Sequence, residues 1–130
     1  MSAPARKPRP VVLVAEDDED ILDLVVFDLE DEGYEVLTAR NGEEAVTLAL
    51  ERRPDLILLD VAMPGLDGYE VTRRLRADKT TNGTPVVLLT ARAQVKDVIA
   101  GFEAGANDYV TKPFRPDELR TRLHAALGRR

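Results

Sequence analysis

Cysteine is absent from the 130-residue chain. That excludes disulfides and thiolate metal sites, and it fits a reducing compartment such as the cytoplasm. No apolar run approaches the ~20 residues of a membrane span. The opening segment, MSAPARKPRP, is basic and proline-rich and lacks the apolar stretch of a secretory signal. A short disordered arm over residues 1–9 is the expectation, with Arg6, Lys7 and Arg9 solvated. Net basic charge is lacking too: 18 Lys+Arg against 24 Asp+Glu give −6. An acidic domain is a poor nucleic-acid binder by itself. There is no interior linker and no repeat. A chain of this length buries a real core without staples, so residues 10–128 read as one domain.

What is present is a regular alternation of strand and helix signals. Val11–Ala15 is a β-branched apolar run and reads as a buried strand. Ile21, Leu24, Val25 and Leu29 then recur at helical spacing, with Gly33 where a C-cap belongs. Residues 34–39 alternate like a strand. Ala45, Leu48 and Ala49 share one face of a second helix, which Pro54 closes. Residues 55–60 form the third strand. Asp67 is an N-cap candidate with Glu70 at capping-box spacing. Residues 84–91 hold the fourth strand. Val95, Val98, Ile99 and Phe102 stand at i, i+3, i+4 and i+7, the pattern of a helix with an apolar face. Residues 107–114 hold a short fifth strand, and Leu119, Leu123, Ala126 and Leu127 line a last helix. Continuous apolar strands are buried on both faces, so the expected fold is α/β: a doubly wound parallel sheet of five strands, order 2-1-3-4-5, between two helix layers.

In that topology the site lies at the carboxyl ends of the strands. The first strand delivers Glu16, Asp17 and Asp18, the third Asp60, the fourth Thr90 and the fifth Lys112. Carboxylates this close repel one another unless a cation joins them. With no His or Cys ligand, the donor set favours Mg²⁺ or Mn²⁺ over zinc. Lys112 and Thr90 can donate to phosphate oxygens. Asp60 is left as a nucleophile able to form an aspartyl phosphate. Taken singly, each residue has an ordinary use: a strand-end Asp in a turn, an acidic run at a helix start, a Lys-Pro in a loop. Their joint placement is what carries the reading. His124 reads as plain surface and Met63 as turn packing.

The segments VLVAEDDED (12–20), DLILLDVAMPGLDG (55–68), VVLLTA (86–91) and GANDYVTKPF (105–114) closely resemble the receiver domain of two-component response regulators. The resemblance covers roughly residues 10 to 128 and implies the flavodoxin-like receiver fold. It implies that Glu16 and Asp17 bind Mg²⁺, with Asp17 the direct ligand and the Ala62 carbonyl completing the site. Asp60 is then the phosphoacceptor, Lys112 the phosphate-binding lysine, and Thr90 with Tyr109 the switch pair. The Lys112–Pro113 bond is expected to be cis. The implied partner is a histidine kinase or histidine phosphotransfer protein. The implied output face is the fourth helix, fifth strand and fifth helix, read by an output partner or by an effector domain beyond this segment. Such a domain catalyses its own phosphorylation without being conventionally classed as an enzyme.

Positions 62 and 92, Ala and Arg, depart from residues that could orient an attacking water, which implies slow loss of the phosphoryl group. A metal-dependent phosphohydrolase with an aspartate nucleophile is the rival, but it would place a second acid where Ala62 stands. A dinucleotide site would need a glycine-rich first turn, which is lacking. A degenerate receiver acting only as a binding module is the third reading; the intact Asp17, Asp60, Thr90 and Lys112 count against it.

Overall fold

A computed structural model describes residues 9–91 and 94–128. The arm expected over residues 1–9 lies outside them except for Arg9, and so does Arg92. Among the described residues the strands are β1 (Val11–Ala15), β2 (Glu35–Ala39), β3 (Leu56–Asp60), β4 (Val86–Thr90) and β5 (Asp108–Thr111). The helices are α1 (Glu19–Asp31), α2 (Gly42–Arg52), α3 (Gly68–Ala77), α4 (Val95–Ala104) and α5 (Pro116–Leu127). Every strand pairing is parallel and the order is β2-β1-β3-β4-β5, as the alternation of apolar runs and helical stripes implied.

The pleat divides the core in two. Ile57 and Leu59 of β3 join Leu13, Val86 and Leu88 under α2, α3 and α4. Leu56 and Leu58 point the other way, joining Val12, Val14, Val87 and Leu89 under α1 and α5. Successive side chains on a strand alternate faces, so one uninterrupted apolar run supplies both cores. All five residues of β3 are buried, which fixes the base of Asp60.

Caps set the helix starts. Asp18 accepts from the amides of Asp20 and Ile21 at the head of α1, and Asp67 accepts from the Glu70 amide at the head of α3. The Glu70 carboxylate is taken by Arg73, so the capping box is half made. Gly33 follows α1 with φ 94°, and the Lys112–Pro113 bond is cis.

Two helical faces differ from expectation. On α1 the buried stripe is Leu22, Val25 and Leu29, while Leu24 is 52% exposed. Leu22 and Leu24 stand about 200° apart around the helix, so both cannot face the sheet. On α4, Val95, Ile99 and Phe102 are all exposed, and Gly101 and Ala104 are buried instead. A Cβ on Gly101 would lie 2.9 Å from Leu88 Cδ1 and from Tyr109 Cδ2. The helix therefore packs through Gly101, Ala104 and the half-buried Val98, and turns Val95, Ile99 and Phe102 outward.

Candidate functional site

The carboxyl ends of β1, β3, β4 and β5 meet at one crevice. Glu16 follows β1 and is buried; Asp17 beside it is exposed. Asp60 ends β3 and is 5% exposed. Its Oδ1 accepts from the Ala62 amide at 3.1 Å, so the turn after the strand orients the carboxylate. Gly68 lets α3 close on that turn. A Cβ there would meet the Asp60 carbonyl at 2.7 Å, and the Gly68 amide instead reaches the Val61 carbonyl at 2.9 Å. Asp60 Oδ2 accepts from the Lys112 ammonium at 3.1 Å, and Glu16 Oε1 accepts from it at 2.6 Å. Lys112 is aimed by its own backbone, whose amide donates to the Thr90 carbonyl at 2.7 Å.

One ligand oxygen from each of Glu16, Asp17 and Asp60 can be chosen so that all lie within 4.8 Å of one another. Asp18 caps α1 and stays out of this cluster. Three carboxylates thus face one ammonium. Burial pushes the Glu16 carboxyl up to about 7, and the bond and charge of Asp60 add to the rise; the Lys112 bond opposes it. For Lys112, burial works against the charge, but the carboxylates of Glu16 and Asp60 outweigh it and the shift is upward.

Behind this cluster lie Thr90, 1% exposed, and Tyr109, 8% exposed with its ring turned inward. Their hydroxyls are hydrogen-bonded. Burial pushes the Tyr109 phenol up, and a bond to Tyr69 adds to the rise. Tyr69 was not singled out in the sequence. It is buried at the first turn of α3, its hydroxyl 3.3 Å from that of Tyr109 and 3.2 Å from the Asp97 carbonyl in α4. The available signal was that a buried tyrosine needs a partner for its hydroxyl. The structure thus brings together Glu16, Asp17, Asp60, Ala62, Thr90, Tyr109 and Lys112. His124 is exposed and meets Tyr34 edge-on, and Met63 is buried in the turn, as expected.

Fold and site together define an α/β domain with three carboxylates and a lysine gathered at the carboxyl ends of its parallel strands. Comparison with known proteins gives the family. The model of the response regulator receiver domain matches residues 12–124. The transcriptional regulatory protein YkoG of Bacillus subtilis is 51% identical over 116 residues, 89% of this chain and 50% of that protein. Chemotaxis response regulator CheY4 of Vibrio cholerae superposes with a TM-score of 0.87 at 34% identity, covering 92% of this chain and 99% of that one. The receiver domain of sensor histidine kinase PA1611 from Pseudomonas aeruginosa, solved with magnesium in its active-site cleft, gives 0.87 at 36% identity, covering 93% and 99%. The chain belongs to the response regulator receiver family, the phosphoacceptor domains of two-component systems. It spans about half the length of the curated relatives it matches. Among the described residues no helix is long and apolar enough to cross a membrane.

Proposed function

We propose that this receiver takes its phosphoryl group on Asp60. The supporting observation is the Lys112 ammonium held between Glu16 and Asp60 with Asp17 alongside. An Asp60 oxygen forms the new P–O bond as the donor's P–N bond breaks. Lys112 then turns from Asp60 to a phosphoryl oxygen, and Thr90 donates to another. Glu16, Asp17, Asp60 and the Ala62 carbonyl would hold Mg²⁺, or Mn²⁺, since the donors are all oxygens and lack positive charge. When bound, the ion supplies neutralisation of charge on the transferring group.

The donor in this reading is a phosphohistidine of a kinase or phosphotransfer protein. Thr90 and Tyr109 pass the change to α4, β5 and α5 as a shift between two packings. There the exposed Val95, Ile99 and Phe102 offer an apolar surface to an output partner or effector domain. We place the domain at residues 10–128, in the cytoplasm, and outside the usual definition of an enzyme. The test is mass spectrometry after incubation with acetyl phosphate and Mg²⁺. One added phosphoryl group is expected, absent from Asp60→Asn; a fully labelled Asp60→Asn overturns the assignment.

A further inference from the structure

We propose that Tyr69 is a positioning residue of the switch: its hydroxyl holds the Tyr109 ring inward and joins Thr90, at the end of β4, to the Asp97 carbonyl in the first turn of α4. The inference rests on the reading of Thr90 and Tyr109 as the switch pair and adds a third member on α3.

The directions of the hydrogen bonds follow from proton counting. A carbonyl only accepts, so Tyr69 gives its single proton to Asp97 O. In the Tyr69–Tyr109 contact the donor is therefore Tyr109. With that proton used, Tyr109 can only accept from Thr90. The three hydroxyls form one directed row, Thr90 to Tyr109 to Tyr69 to the helix. All three residues are buried, so a hydroxyl left without a partner is costly.

That direction has a consequence for switching. When Thr90 turns its proton to a phosphoryl oxygen, Tyr109 loses the bond it accepts but keeps the bond it donates. Tyr69 is therefore the partner that weights the ring toward the inward side of the exchange. The room for the ring comes from Gly101, whose missing Cβ would press on it. Tyr69 also ties α3 to α4, so the position of Tyr109 is felt by the helix through the Asp97 carbonyl and not by ring packing alone.

The test is Tyr69→Phe, which keeps the ring and removes the hydroxyl, observed by NMR on the phosphate-free chain. Contacts from the Tyr109 ring to Leu88 and Gly101 report the inward state. The ratio of inward to outward rings should fall roughly two- to tenfold, the worth of one hydrogen bond. The Thr90 methyl signal should move as well. In a Tyr109→Phe background the same substitution should leave Thr90 unmoved, because the row is already cut. An unchanged ring ratio overturns the proposal, and so does an equal Thr90 shift in both backgrounds. Neither measurement uses phosphate, so a failure of Asp60 to be phosphorylated bears on the earlier reading alone.

Discussion

Lys112 and Glu16 meet at 2.6 Å across 96 residues of sequence. The lysine is nearer to this glutamate than to Asp60, at 3.1 Å. Glu16 therefore helps hold the Lys112 ammonium in place beside Asp60.

Burial of Glu16, which outweighs its bond to Lys112, sets a pH dependence. The folded chain protonates Glu16 from about 7 downward, the unfolded chain only near its ordinary value of 4.5. Between those values the folded state binds more protons, so stability contributed by Glu16 falls as pH rises through the window. Saturating Mg²⁺ needs the carboxylates ionised and should flatten or reverse this trend. Urea midpoints from about pH 5 to about pH 8, with and without MgCl₂, check it. Identical profiles under the two conditions contradict the expectation.

Asp17 and Asp18 are adjacent but have separate roles. Asp17→Asn should weaken Mg²⁺ binding by at least about tenfold, since even partners one shell out commonly cost ~10–100-fold. Asp18→Asn should stay near wild type, because asparagine caps a helix as well as aspartate does. Isothermal titration separates the two; equal losses would shift the metal register by one residue.

Arg76 should matter for stability and not for phosphorylation. Its guanidinium donates to the carbonyls of Gly105, Thr81 and Thr84 and to Asn107 Oδ1, tying α3, α4 and the entry to β5 together. Arg76→Ala removes these bonds and should cost about 2–3 kcal/mol. Arg76→Lys should recover little, because an ammonium cannot span the fork. Urea denaturation gives both numbers, and a loss within error of zero would show that water replaces the arginine.

Gly101→Ala sets two effects against each other. Alanine gains about 1 kcal/mol of helix propensity over glycine. The new methyl would press on Leu88 and Tyr109 at 2.9 Å, and overpacking costs about 1–3 kcal/mol. Net destabilisation is expected, with the Tyr109 ring displaced outward in NMR spectra. A more stable variant with the ring still inward would mean the pocket has room to spare.

Ala62 bears on the lifetime of the phosphoryl group. Its side chain cannot orient a water, whereas Ala62→Asn could. Phosphate release after the donor is removed should be faster in the variant. An unchanged or slower rate sinks the water-positioning account.

Much of this was legible beforehand because strands buried on both faces leave a plain trace. Leu56–Leu59 is apolar without a break and halts at Asp60, and β4 halts likewise at Thr90. Parallel topology then brings strand ends together without further information. The α4 face was misread for a physical reason. Periodicity marks where apolar residues line up, and here the partner surface, Leu88 and the Tyr109 ring, selected the side carrying Gly101 and Ala104. Tyr69 escaped because its role depends on the position of a ring forty residues away, and no local pattern encodes that.

The parallel register also governs the order of events during folding. Val11 pairs with Glu35 and Val12 with Leu56, so each partner of β1 is reached only after a helix has been traversed. Among the described residues no hairpin supplies an early, local nucleus, and loop closure precedes any gain from pairing. Glu16 and Asp17 leave β1 while Asp60 leaves β3, so the acidic cluster exists only once that long-range ladder has closed. A divalent cation bound there should slow unfolding and leave the refolding rate nearly unchanged. Persistence of the native state, rather than speed of reaching it, is what the ion would confer.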